Sequence, residues 1–439
     1  MKKIITRFKA HLPAIGQSLW FLPSVLVVVA VASSYLFLYI DRHFVTFVSE
    51  NIDFFFSGSA AAARGMLSTI AGSVITVVSI AFSLTIISMQ QASAQYSPRV
   101  LRSFTSNRGN QIVLGVYIAT FTYSILILRA IRESNDKREE FVPAVSLSFA
   151  IILAILCIGL LIFFINHTSN SLLATTVIKR IHNHLIEQIG RKYPVKTGES
   201  IQTPNLEIHS EDNVAVLKSE AGGFVLAIDD SIFERHDLEG INSIEVLPHI
   251  GEFVLTGQDV MRIVSNQPIS QNRQNELLYS VVLEGERSPI NDPLQNVRQL
   301  VDTALKGLSP GINDVTTSVY CIRNLGDAIA VLANREFPEE IASVDGSKIL
   351  LKIRQPTFLD FLEKSFLEIL FAGEKNERVQ REILDVLILV AKQLNIEERK
   401  RDIEIIRDRC ESIIERNDFY ELDSKELTKR IAELDELLS

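Results

Sequence analysis

The chain has 439 residues, 47% of them hydrophobic, with 44 Lys plus Arg against 53 Asp plus Glu. Up to Asn166 there are 13 bases to 7 acids and after it 31 to 46, so a basic apolar part precedes an acidic one of about 270 residues, long enough for one or two cored domains. An acidic part without a basic cluster argues against nucleic acid as a partner, and three well-separated cysteines (Cys157, Cys321, Cys410) give no disulfide framework or zinc pattern and fit a reducing compartment.

Lys2, Lys3, Arg7 and Lys9 precede an apolar run of about 20 residues that ends in Tyr35-Leu-Phe-Leu-Tyr39, without a small-residue cleavage site, so it reads as a membrane span and not a signal peptide. Four spans are expected, at Phe21–Ile40, Met66–Met89, Ile112–Leu128 and Val145–Ile165. The loop after the second holds Arg99, Arg102 and Arg108 with no acid, and the N-terminus and the segment after the fourth span are basic too. The positive-inside rule therefore places both termini in the cytoplasm.

The second span is unlike the others. Thr69, Gly72, Thr76, Ser79 and Ser83 follow at spacings of three and four, and Gln90 comes one heptad later, which draws one small or polar stripe down a helix face. Such a stripe faces either a neighbouring helix or water. If water, four spans are too few for a path within one copy, and several copies would have to assemble. Arg64 would then stand at the outer mouth and Arg99 and Arg102 near the inner one, favouring an ion or small anion.

After the fourth span, Leu172, Leu173, Thr176, Val177, Ile181, Leu185 and Ile189 have helical spacing, which predicts an amphipathic continuation over 167–200 that Tyr193-Pro194 ends. His182 and His184 fall on different faces and read as surface residues rather than a metal pair. Over 201–268 the period changes to two, with β runs at Val214–Val216, Gly223–Ile228, Ile244–Leu247 and Phe253–Leu255. The run Gly251–Val264 resembles half of the barrel-sandwich hammerhead of biotinyl and lipoyl carriers. Ser265-Asn-Gln-Pro268 follows it with no lysine, which leaves a scaffold or docking role.

From 269 to 439 the pattern is helical: Pro293–Leu308, Asp314–Ala333, Phe358–Phe371, Glu377–Leu394, Ile396–Arg416 and Ser424–Leu438. Arg399, Lys400, Arg401 and Arg407, interleaved with acids, read as a solvated face. Between the first two helices lies Leu308-Ser-Pro-Gly-Ile-Asn-Asp314. One reading is a corner: Asp292 caps the first helix, Pro310-Gly311 turns, Asp314 caps the second and Arg298 pairs with Asp302. The other is a ligand pocket in which Arg298 binds an anion and Asp302, Ser309, Asn313 and Asp314 supply oxygens.

Ala63-Arg64, Leu67-Ser-Thr-Ile-Ala-Gly-Ser73, Gln95-Tyr-Ser-Pro-Arg99, Gln299-Leu-Val-Asp302 and Leu308–Asp314 together resemble the bacterial predicted-membrane-protein family known as domain of unknown function 2254. One departure is Val315, where the family usually has proline before a threonine. The resemblance spans nearly the whole chain and implies a multispanning inner-membrane protein with a cytoplasmic tail; it implies no particular activity.

The sequence has no phosphate loop, dinucleotide fingerprint, HExxH helix or nucleophile elbow, and no span carries an acid or base near its centre. An enzyme, a resident cofactor or metal, and a proton antiporter are therefore not expected. The expected fold is an α-helical membrane protein with four transmembrane helices (1–166) and the connecting helix. A cytoplasmic small β-barrel or barrel-sandwich module and a helical domain follow. The expected function is a homo-oligomeric ion channel lined by the second span, with the lipid bilayer and further copies of itself as partners. The alternative is a membrane-anchored ligand-binding or signalling scaffold without conduction.

Overall fold

A computed structural model describes residues 20–43, 59–95, 108–132, 141–171, 173–194, 213–229, 240–287, 292–337, 341–343 and 350–439. It divides into two compact units, one ending at Leu173 and one beginning at Ala174.

The first unit holds four helices long and apolar enough to cross a membrane. They are α1 (Phe21–His43), α2 (Ala60–Gln95), α3 (Arg108–Ala130) and α4 (Ala144–Ser171). Every predicted span lies inside one of them. From Arg108 to Arg129, α3 covers about 31 Å, the thickness of a hydrocarbon core bounded by charge at each end. It is also the helix the other three pack on. Gly115 makes this possible on the α1 side, because a Cβ there would fall 2.6 Å from Leu26 Cδ1 and 3.1 Å from Pro23 Cα. Two apolar clusters fill the bundle, one around Leu67, Tyr123, Ile127 and Leu147, the other around Val74, Leu114, Tyr117 and Phe164. At 36 residues, or about 54 Å, α2 is the longest of the four.

The second unit opens with α5 (Ala174–Lys192), which buries Val177, Ile178, Ile181, Leu185 and Ile189 against the later helices α7 (Pro293–Leu308) and α8 (Val315–Ala333). The amphipathic helix begins at Ala174, and α4 ends at Ser171.

The β region differs from the expected barrel. Its strands are β1 (Asn213–Lys218), β2 (Gly223–Ile228), β3 (Ile241–Val246), β4 (Phe253–Val254), β5 (Asp259–Ser265), β6 (Val281–Glu284), β7 (Ile341–Ser343) and β8 (Leu350–Ile353), with the short helix α6 (Gln271–Leu278) before β6. They form two open sheets, ordered β1-β5-β3-β8-β7 and β4-β2-β6. Neither closes, because β3 pairs in parallel with β8, from more than 80 residues beyond 268, and β2 pairs with β6, also beyond it. A common core of Val225, Ile244, Val246, Val254, Met261 and Ile263 joins them.

Four further helices complete the unit: α9 (Phe358–Ala372), α10 (Glu377–Lys392), α11 (Lys400–Arg416) and α12 (Glu421–Leu438). A capping box at Thr357 and Asp360 starts α9, and the Asn376 side chain accepts the Val379 N–H to start α10. Arg399 corrects the solvated-face expectation. It is buried, donates through Nη1 to the Leu332 carbonyl at 2.7 Å and to Ala333 O, through Nη2 to Arg335 O, and lies over the rings of Phe337 and Phe358. It closes the C-terminus of α8 as a cation should.

Candidate functional site

The α2 helix presents two unlike faces. Ala63, Leu67, Ala71, Val74, Ala81, Thr85 and Ala92 are buried against the bundle, whereas Thr69, Gly72, Thr76, Ser79, Ser83 and Gln90 are all exposed. Small residues are thus split by face: the alanines let neighbouring helices approach, while a Cβ on Gly72 would meet nothing within 4 Å. Among the described residues of one copy, the stripe takes no part in packing.

Its hydroxyls share one geometry. Thr69 donates to Gly65 O at 2.8 Å, Thr76 to Gly72 O at 2.9 Å, Ser79 to Ile75 O at 3.0 Å and Ser83 to Ser79 O at 2.9 Å. With each proton given to the preceding turn, the oxygens offer acceptor lone pairs outward. The ring of Phe82 lies 6.2 Å from that of Trp20, the aromatic residue just before α1. Aromatic residues of this kind favour the membrane interface. Gln90 lies about 12 Å further along the axis, past the exposed apolar residues Leu84, Ile86 and Ile87.

Arg64, expected at a mouth, lies at the opposite end of α2 and donates through Nη2 to Ile131 O at 3.1 Å, just past α3. Arg99 and Arg102 lie outside the described residues. Close to Arg64 is a residue that spacing did not single out. Asp41, 3% exposed in the last turn of α1, accepts the N–H groups of Val145 at 2.9 Å and Ser146 at 3.0 Å and the Ser146 hydroxyl at 2.5 Å. It caps α4 from another helix, and Tyr123 Oη donates to Ser146 O at 3.1 Å beside it. Asp41 closes the first span's apolar run, where an acid signals only the edge of the membrane; its partners stand 104 residues away.

In the second unit the corner between α7 and α8 is a tight turn. Asp314 N donates to Gly307 O at 2.7 Å and Asn313 N to Ser309 O at 2.9 Å, and the Ser309 hydroxyl turns back to Lys306 O at 2.6 Å. Asn313 has φ +50°, the one left-handed non-glycine among the described residues. Asp314 caps α8 by accepting Thr317 N–H at 3.0 Å and its hydroxyl at 2.5 Å, which hold its carboxyl below the usual range. Arg298 binds Asp302 at 2.7 Å and also Glu368 on α9. These five side chains do not converge: Asp314 and Asn313 are exposed at the turn, while Arg298 and Asp302 sit two turns and more back along α7. Asp292 precedes α7 but makes no side-chain cap; Arg287 takes its Oδ2 at 2.9 and 2.5 Å. Gly251, at φ +87°, leaves room for that carboxylate, which a Cβ would approach to 2.1 Å. His182 is likewise no free surface residue, since its Nε2 is 2.8 Å from Asp327 Oδ2. Among the described residues no cluster of three or more His, Cys, Asp or Glu could hold a metal.

Four apolar helices in one bundle, followed by a mixed sheet-and-helix unit, define a multispanning α-helical membrane protein. The chain belongs to the family of predicted membrane proteins DUF2254, whose sequence model matches residues 16–388. It is similar to the uncharacterized proteins Mb1321c of Mycobacterium bovis and Rv1290c of Mycobacterium tuberculosis, 27% identical over 392 residues that cover 88% of this chain and 74% of each relative. No solved structure matches it.

Proposed function

We propose that the protein is a homo-oligomeric ion channel of a bacterial inner membrane, in which the exposed faces of several α2 helices surround a common path. Both termini lie in the cytoplasm and the second unit regulates passage. One observation carries this reading: the hydroxyl and glycine face of α2 points away from the three helices of its own copy, while alanine and leucine do the packing. Polar groups gain little from lipid, whereas a second copy of the same helix, or water between copies, rewards them.

The ion follows from the hydrogen bonds. A wall of hydroxyl oxygens whose protons are already donated accepts but does not donate, which suits a cation and its hydration water better than the small anion that Arg64, Arg99 and Arg102 suggest. Arg64 moreover spends a donor on the Ile131 carbonyl. A ligand-binding scaffold without conduction draws less support, because the polar groups of the corner are engaged in its own turn.

Cross-linking tests the assembly. Ser79→Cys should form a disulfide between copies in native membranes, and Ile152→Cys, exposed on α4, should not. Equal cross-linking at both positions, or a monomer in mild detergent and in bilayers, contradicts the shared α2 axis.

A further inference from the structure

We infer that a water molecule is bound inside the second unit, where the end of α5 meets the start of α7. It accepts the Tyr193 hydroxyl proton and donates to the Asp292 carboxylate and the Gln295 side-chain oxygen. Tyr193 is 0% exposed, and its Oη has no hydrogen-bond partner among the described residues. The residue is fixed in place: its ring centroid lies 4.8 Å from that of Phe337 and 5.8 Å from that of Phe361, and Arg335 Nη1 donates to its carbonyl at 2.8 Å. Gln295, 5% exposed in the first turn of α7, likewise has an Oε1 with no donor among the described residues. Asp292 stands three residues before it, buried, with Oδ2 taken by Arg287. Burial, then Asp292 and Asp360, push the Tyr193 phenol up; burial lowers the Lys192 ammonium, and Asp292 opposes that. The Asp292 charge therefore reaches both residues at the end of α5. The Asp360 carboxylate is already engaged in the capping box with Thr357. A donor without an acceptor and an acceptor without a donor thus stand beside one buried carboxylate. Leaving such groups unpaired in an interior is costly, and one water satisfies them with about three hydrogen bonds, the usual number for a buried water.

A double-mutant cycle read by thermal unfolding of the full chain in detergent tests this. Tyr193→Phe removes the hydroxyl alone, and Gln295→Met removes the amide while keeping the length of the side chain. Each should lower the midpoint by roughly 2–4 °C. Together they should lower it by clearly less than the sum, because both act through the same water. A hydroxyl that binds nothing gives the opposite sign, since its removal leaves the midpoint unchanged or raises it. That result for Tyr193→Phe, or two losses that simply add, overturns the shared water. A crystallographic map of the unmodified chain is the second measurement. A solvent peak about 2.5–3.0 Å from Tyr193 Oη, the Asp292 carboxylate and Gln295 Oε1 supports the site, whereas Tyr193 bonded directly to a carboxylate, with no such peak, overturns it.

Discussion

Asp41 shows most plainly how a single side chain organises this bundle. A carboxylate shut away from water is costly unless its oxygens are filled, and here two backbone N–H groups and one hydroxyl of α4 fill them. Asp41→Ala should therefore lower stability by about 2–4 kcal/mol, the loss of a cap plus charge-assisted hydrogen bonds. Thermal unfolding in detergent reads this directly, and Asp41→Asn, which keeps one acceptor, should fall between. An unchanged midpoint for the alanine variant contradicts the cap. Neither Asp41 nor Arg399 was legible as a structural residue beforehand. Asp41 closes an apolar run and Arg399 opens a run of alternating charges, and each finds its partners 64 to 105 residues away, beyond the reach of any local pattern.

At the scale of elements, periodicity was a good guide wherever the partner was near in sequence. The first helix of the corner runs over Pro293–Leu308 as its spacing predicts, and Asp314 caps the next as its position suggests. The sheets were misjudged for the converse reason: β8 joins β3 across about 100 residues, and a strand's pattern does not state which edge it will meet. The Asp314 cap also carries a pH dependence. The Thr317 hydroxyl and then its backbone N–H hold the Asp314 carboxyl low, so the folded value lies below the unfolded one of about 3.9. Its contribution is in place above that pH and is lost as pH falls through the folded value. In thermal melts of the full chain between about pH 3 and 6, Asp314→Asn should lose part of the acid-side decline. A variant whose midpoint falls with acid as steeply as the unmodified chain's would show that the cap contributes nothing there.

At the scale of the molecule, the four spans follow from composition and period, though α2 runs past its expected span at both ends, and membership of DUF2254 agrees with them. The stripe was visible in sequence, but its direction was not, since spacing draws a face without saying what lies opposite. Among the described residues that face is left uncovered, together with Ile75, Ile80 and Ile87 of the same helix. Conduction through it is the central claim, and the current carried by purified full-length protein in planar bilayers measures it most directly. Unmodified protein should pass cations in preference to anions. Thr76→Leu and Ser79→Leu should abolish the current while leaving the thermal midpoint unchanged, because neither residue packs against the described residues of its own copy. A well-folded oligomer that stays silent, or a current that the two leucines leave intact, would contradict the account.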